Sequence, residues 1–163
     1  MRKIFLPLTK DVIKTVKLGE IVLLSGSLLT ARDAARKRLA DALKAGKKIR
    51  ISFKDEIIYY TGPTPARTGE IIGSCGPTTS SRMDPFTPLL LKHGLIGMIG
   101  KGERSKETNS AIKRFGAVYF ITIGGAGAYL SEKVKSAKVI AYEDLGPEAI
   151  YRLTVEDFPA IVV

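Results

Sequence analysis

A chain of 163 residues with 45% hydrophobic and 26% charged residues has the size and composition of one soluble globular domain, residues 1–163. Its apolar runs are shorter than the roughly 18 residues that span a membrane, and the start "MRKIFLPLTKD" lacks a secretory signal's long apolar stretch, so we expect a cytoplasmic protein. The net charge of +10 indicates an anionic partner, and the single cysteine, Cys75, excludes an intrachain disulfide and cannot alone hold an iron–sulfur cluster or a structural zinc.

Short β-branched and apolar runs alternate with helical patterns along the chain, which predicts an α/β fold. The predicted strands are, in chain order, "KIFL", "EIVLLSG", "IIYYTG", "GEIIGSC", "LIGMIG", "AVYFITIG", "KVIAYE" and "AIYRLTV". The fourth of these follows the turn-rich segment "TGPTPARTG". We therefore expect hairpins mixed with strand–helix units and not a simple doubly wound sheet.

The clearest predicted helix covers residues 31–45, where alanine and leucine recur at helical spacing. We expect Thr30 to cap its start, with Asp33 three residues later, and Gly46 to close it. Three further helices are predicted: after Arg82 up to Lys92, from about Ser105 to Phe115, and near Leu130 to Val134.

Three cations stand at predicted strand-to-helix junctions, where open α/β sheets usually bind their ligands. Arg32 falls in the first turn of the clearest helix, where the helix dipole repels positive charge. Arg82 follows the hydroxyl-rich stretch "GPTTSSRMD", and Lys101 lies between two glycines just after a strand. Each alone is compatible with a solvated surface charge. Together they favour a small anion with more than one acidic group.

Four segments carry a resemblance to a known family: "LLTARDAARKRL", "GPTTSSRMDPF", "IGKGERS" and "YEDLGPEAIYRLTVEDFPAIVV". They resemble the C-terminal domain of class I fumarate hydratases and the beta subunit of the related L(+)-tartrate dehydratases, from about Leu18 to the end. The resemblance implies a three-layer swivelling β/β/α domain. It also implies an iron–sulfur hydro-lyase whose 4Fe–4S cluster is bound by a partner alpha subunit and not by this chain, in a hetero-oligomer of the α2β2 type.

By the same motifs, Arg32 of "ARD", Arg82 of "TTSSRMD" and Lys101 of "GKG" resemble ligands of the substrate carboxylates. Thr78 resembles the residue that transfers a proton at the substrate carbon that carries no oxygen. Hydration of a dicarboxylate double bond builds negative charge next to a carboxylate, which fixed cations stabilise. A threonine hydroxyl is too weak an acid or base alone, so Thr78 needs a neighbouring group, which the resemblance places in the partner subunit. The resemblance gives the cluster iron the role of Lewis acid on the hydroxyl.

The identity of the dicarboxylate stays open in the sequence. Ser80 and Ser81 stand where single-chain fumarases typically have Ala-Gly, and Pro85 and Pro88 also differ from them. Hydration of fumarate to L-malate is the first interpretation, and dehydration of tartrate to oxaloacetate is the alternative. A non-catalytic anion- or nucleic-acid-binding module is a third, although the basic residues are scattered and no aromatic residues interleave with them.

Overall fold

The computed structural model describes all of residues 1–163 and contains seven strands and five α-helices. The strands are β1 (Arg2–Phe5), β2 (Ile21–Ala31), β3 (Ile57–Tyr60), β4 (Gly97–Gly100), β5 (Val118–Ile121), β6 (Val134–Ala141) and β7 (Ile150–Val162). The α-helices are α1 (Lys10–Thr15), α2 (Asp33–Lys44), α3 (Thr87–Lys92), α4 (Lys106–Arg114) and α5 (Gly127–Glu132), and two 3₁₀ helices span Ser80–Met83 and Glu143–Glu148. None of these helices has the length and apolar character that crossing a membrane requires.

The seven strands form one sheet that closes on itself. Their order is β1-β2-β3-β4-β5-β7-β6, and the four pairs from β1 to β5 are parallel. Strand β7 runs antiparallel both to β5 and to β2. The sheet therefore closes into a small barrel of five strands, β2, β3, β4, β5 and β7. The fold class is α/β, as the sequence predicts.

Alternation along the strands divides the buried side chains into two clusters. In β3, Ile57 and Tyr59 belong to a cluster that also contains residues of β1, β2 and β7. Ile58 and Tyr60 point to the opposite face and belong to a second cluster with residues of α2, α3 and α4. The result is two layers of strands and one of helices, which is the β/β/α arrangement that the resemblance implies.

One predicted strand is absent, and one α-helix was not predicted. The segment "GEIIGSC", residues 69–75, lies in the long loop between β3 and the first 3₁₀ helix. Its backbone bonds to a helix start instead of a strand, since Cys75 N–H donates to the carbonyl of Gly127, the first residue of α5, at 3.2 Å. The unpredicted helix is α1, which has six residues and is capped by Thr9, whose hydroxyl accepts from Val12 N–H at 3.2 Å.

Thr30 does not cap α2, contrary to the sequence prediction. Strand β2 continues through Ala31 and pairs there with β3, so Thr30 lies inside the sheet and is fully buried. Its hydroxyl accepts a hydrogen bond from Tyr151 N–H of β7 at 3.1 Å. The N-cap position is taken by Arg32, in an extended conformation and without a side-chain capping bond. The end of β2 therefore places Arg32 directly at the entry to the helix.

We predict that Thr30→Val, which keeps the side-chain shape, lowers the free energy of unfolding by about 1–3 kcal/mol because the Tyr151 N–H loses its acceptor. Urea denaturation measures this. Thr154→Val, at an exposed position of β7, is the control and should change stability by less than about 0.5 kcal/mol. Equal effects of the two substitutions would contradict the role given to the Thr30 hydroxyl.

Candidate active site

The four side chains singled out from the sequence stand near the carboxyl ends of the adjacent parallel strands β2, β3 and β4. Arg32 directly follows β2, and Lys101 directly follows β4. Thr78 is bound to the end of β3, because its N–H and its hydroxyl both donate to the carbonyl of Tyr60, at 2.8 and 3.1 Å. Arg82 lies in the 3₁₀ helix that follows Thr78. Residues far apart in the sequence therefore share one edge of the sheet.

The side chain of Arg32 lies along the backbone of Gly62, which follows β3. A Cβ atom at residue 62 would come within 2.6 Å of Arg32 Cδ and 2.8 Å of Nη1, so only glycine leaves room for this side chain. Arg32 Nε is 3.8 Å from the nearer oxygen of Glu148, which is too long for a hydrogen bond, and Nε has no other acceptor in the chain. The guanidinium therefore retains hydrogen-bonding capacity that an anionic ligand can use.

The turn that carries Thr78 and Arg82 is fastened to the backbone of Lys101. Thr79 and Lys101 form a parallel β-bridge, Ser80 N–H donates to the Lys101 carbonyl at 3.0 Å, and Lys101 N–H donates to the Ser80 hydroxyl at 3.1 Å. The buried Ser80 hydroxyl also bonds to the hydroxyl of Tyr119 at 2.8 Å. A Cβ at Gly100 would lie 1.9 Å from Ser80 Oγ, so this close approach requires glycine there. The exposed Lys101 side chain takes part in none of the ion pairs of the chain.

A buried arginine, Arg104, stabilises this turn from the protein interior. Arg104 donates from Nε to Asp84 at 2.7 Å and from Nη2 to the Thr87 hydroxyl at 2.8 Å, and its guanidinium lies 5.4 and 4.9 Å from the ring centres of Tyr60 and Tyr119. Burial alone would lower the pKa of Arg104, but Tyr60 and Asp84 raise it above its ordinary value. The arginine stays charged and fixes Asp84, the residue that ends the 3₁₀ helix.

A second buried arginine lies on α2, next to the pair formed by Asp33 and Arg82. Asp33 Oδ2 faces Arg82 Nη1 at 3.5 Å, and Asp33 Oδ1 accepts from Nη2 of Arg36 at 2.8 Å. Arg36 is 1% exposed, and its guanidinium lies 5.5 and 5.8 Å from the ring centres of Tyr60 and Phe86. Burial lowers the pKa of Arg36, against the opposing effects of Tyr60 and Asp33.

Sequence reasoning missed Asp33, Arg36 and Arg104 as members of this constellation. Both arginines stand in charged runs, "ARKR" and "KGERSKE", whose composition is typical of solvated surface. A signal for Arg36 was present, because it is followed at helical spacing by Leu39, Ala40 and Leu43 on the face that packs against the sheet.

The four predicted side chains stand on an open edge. A cavity of about 750 Å³ lies elsewhere, between α2 and the segments 47–51 and 140–144, and none of the four lines it. The side chains of Arg32 and Arg82 are 38% and 61% exposed, and Lys101 is exposed as well. An anion bound here would be covered on one side only by this chain.

The residues of the chain do not fit an iron–sulfur cluster. No group of three or more histidine, cysteine, aspartate or glutamate side chains is close enough to hold a metal ion. Cys75 is fully buried, and burial raises the pKa of its thiol to about 11, which disfavours the thiolate that a metal needs. Cys75 packs in the core among apolar side chains.

Comparison with known proteins places the whole chain in one family. The family model of the fumarase C-terminus matches residues 1–163. "Fumarate hydratase 1, mitochondrial" of Leishmania major is 41% identical, and "Fumarate hydratase class I, anaerobic" of Escherichia coli is 40% identical, each over 142 residues, or 86% of this chain and 26% of the relative. The chain thus spans about a quarter of the length of these enzymes.

A relative from Methanocaldococcus jannaschii has nearly the same extent as this chain. It is provisionally named the beta subunit of L(+)-tartrate dehydratase, and it is 34% identical over 168 residues, which cover 100% of this chain and 86% of the relative. With the match over residues 1–163, these similarities show that the chain belongs to the fumarase C-terminus family.

Proposed function

We propose that this chain is the beta subunit of an iron–sulfur-dependent hydro-lyase that reversibly hydrates fumarate to L-malate. The observation that carries the proposal is the joining of Arg32, Lys101 and the Thr78–Arg82 turn at one edge of the sheet, through direct contacts with β3, β4 and α2. Three cations at one edge suit a substrate with two carboxylates.

In this proposal Arg32, Arg82 and Lys101 bind the carboxylates and stabilise the negative charge that develops between them. The backbone of each cation is held at a strand end or turn, so the point from which each side chain extends is set before the substrate arrives. Such fixed charges stabilise the carbanion-like species more than they stabilise the substrate, because the carboxylate gains charge as the species forms.

Thr78 is proposed to move the proton at the carbon that carries no oxygen. Its hydroxyl donates to the carbonyl of Tyr60, so the oxygen lone pairs remain free to accept a proton from that carbon in the dehydration direction. The carbonyl of Tyr60 is not basic enough to take the released hydroxyl proton. A second group must accept it, and we assign that group to the partner subunit.

The partner is proposed to be an alpha subunit that carries the 4Fe–4S cluster, in an α2β2 hetero-oligomer in the cytoplasm. The open edge supports a partner, because the candidate site is covered by this chain on one side only. The relative of similar extent with the provisional beta-subunit name supports a two-chain enzyme. The buried, unreactive Cys75 supports a cluster held elsewhere.

Dehydration of L(+)-tartrate is the second candidate reaction, favoured by the same relative. Of the two serines that distinguish the turn from single-chain fumarases, Ser80 is buried against Lys101, whereas Ser81 is exposed and free to face a substrate hydroxyl. The ratio of kcat/KM for fumarate and tartrate in the assembled enzyme distinguishes the two reactions.

A non-catalytic nucleic-acid-binding module is the third candidate. Binding of a random oligonucleotide at physiological salt would favour it.

The isolated chain should be colourless and inactive, and anaerobic mixing with its cluster-bearing partner should give hydratase activity. The reason is that the chain supplies cations and a hydroxyl but no cluster ligands. Fumarate hydration is followed by the loss of its ultraviolet absorbance. Turnover by the isolated chain would overturn the two-chain proposal.

Thr78→Ala should lower kcat of the assembled enzyme by at least about 10²-fold, because loss of a proton-transfer group typically costs 10² to 10⁴ in rate. Thr79→Ala is the matched control, since Thr79 is exposed and contacts Lys101 through its backbone. Thr78→Ser should keep part of the activity. A loss for Thr78→Ala that merely follows loss of folded protein would leave Thr78 with a structural role only.

Arg82→Lys should lower kcat/KM by about tenfold or more, because lysine keeps the charge but loses the two-pronged bond to a carboxylate, and a charge-assisted hydrogen bond contributes about 1.5–3 kcal/mol. Arg38→Lys is the control, because Arg38, an exposed residue of α2, makes a two-pronged bond to Asp144 of the second 3₁₀ helix. Steady-state kinetics with L-malate measures both. An unchanged kcat/KM for Arg82→Lys would remove Arg82 from the site.

A further inference from the structure

Arg36 is a buried cation that the proposed chemistry does not use. Its side chain has no solvent exposure, and one nitrogen, Nη2, bonds to Asp33 at 2.8 Å. The other two nitrogens, Nε and Nη1, are buried without an acceptor in this chain. Two aromatic rings, those of Tyr60 and Phe86, flank the guanidinium. This is an incompletely paired charge in the interior.

Stability does not explain why an arginine occupies this position. Removing a guanidinium from water is costly, and replacing a buried ion pair by apolar residues of similar volume is often neutral or stabilising. Arg104 forms a contrast: all three of its nitrogens have partners, namely Asp84, Thr87, Tyr60 and the sulfur of Met98. Local rules of stability are broken most often where function requires it.

The contact that Arg36 makes leads directly to a proposed substrate ligand. Arg36 holds Oδ1 of Asp33, and Oδ2 of the same carboxylate faces Nη1 of Arg82 at 3.5 Å. Asp33 is itself fixed as the first residue of α2. Because both of its oxygens are engaged, the plane of the carboxylate is set from the buried side.

Arg82 depends on this carboxylate for its orientation. Its side chain is 61% exposed, and its ion pair within the chain is the one with Asp33. A guanidinium offers several N–H groups, and only Nη1 is directed at Asp33. The edge formed by Nε and Nη2 is left for a two-pronged bond to a substrate carboxylate.

We propose that Asp33 and Arg36 are positioning residues: the buried Arg36 orients Asp33, and Asp33 aims Arg82 at a carboxylate of the substrate. The inference rests on the proposed function, because it takes Arg82 as a substrate ligand. Positioning of this kind matters because a misplacement of about 1 Å can cost on the order of 10² in rate. The orientation of Arg82 is thus the reason for the buried, incompletely paired arginine at position 36.

The test uses the enzyme assembled with its cluster-bearing partner and compares Asp33→Asn and Arg36→Met. Each should lower kcat/KM by roughly tenfold or more, since each releases the orientation of Arg82. Arg36→Met should leave the melting temperature unchanged or raise it, because Asp33, which loses its partner, has a side chain that is 47% exposed and still faces Arg82, so no buried charge is left unpaired. Arg36→Lys should recover part of the activity relative to Arg36→Met. The control Asp144→Asn removes an exposed carboxylate of the second 3₁₀ helix that pairs with Arg38 of α2, and should leave activity unchanged.

A double-mutant cycle separates positioning from a general structural effect. In the background of Arg82→Ala, neither Asp33→Asn nor Arg36→Met should lower activity further, because both act through Arg82. Additive losses, or losses that follow the melting temperature, would overturn the positioning role. If Arg82→Ala is impaired while Asp33→Asn and Arg36→Met are fully active, this inference fails and the proposed function stands. If Arg82→Ala is fully active, the assignment of Arg82 in the proposed function fails, and the inference fails with it.

Discussion

The hydrogen bonds that fasten residues 78–82 to the ends of β3 and β4 are the interaction on which the candidate site depends. They link a loop from one part of the chain to strands that are parallel and adjacent, so Thr78 is fixed to Tyr60 and Ser80 to Lys101. Because β2 ends at the same edge, Arg32 comes to stand beside this turn. Gly62 and Gly100 make the approach possible, since a side chain at either would collide with Arg32 or Ser80.

The distribution of charge around this edge connects the fold to the proposed chemistry. Arg104 is buried and fully partnered, so it holds the turn without competing for a ligand. The three exposed or half-buried cations have few or long contacts to carboxylates, so their charge remains available to an anionic ligand; they are Arg32, Arg82 and Lys101. A part of the net charge of +10 is thereby concentrated where a dianion would bind, while the remaining basic residues are spread over the surface.

Features set by local pattern were predictable, and features set by distant pairing were not. The β-branched and apolar run "IIYYTG" and the helical spacing in α2 identified those elements correctly. The cations at strand ends were found because a strand end can be read from the sequence. Thr30 was assigned wrongly as a cap because the continuation of β2 depends on pairing with β3 and β7, which the local sequence does not reveal.

The buried arginines illustrate the same limit. Arg36 and Arg104 belong to runs of charged residues whose composition is typical of solvated helix faces and turns. They become interior only because α2 packs on the sheet and because Asp84 and Tyr60 meet Arg104 from distant parts of the chain. The roles of Thr78, Arg32, Arg82 and Lys101 rest on the family resemblance together with their common edge.

The position and the rate of deuterium incorporation into malate formed from fumarate in D₂O test the central claim most directly, because they report which face of the double bond receives the proton and whether the transfer requires Thr78. With the assembled enzyme, the account predicts deuterium at a single one of the two hydrogen positions of the methylene carbon, and a severe loss of this labelling when Thr78 is replaced by alanine. Malate labelled at the same position and at a similar rate by the Thr78→Ala enzyme would contradict the claim that this edge of the chain carries the proton transfer.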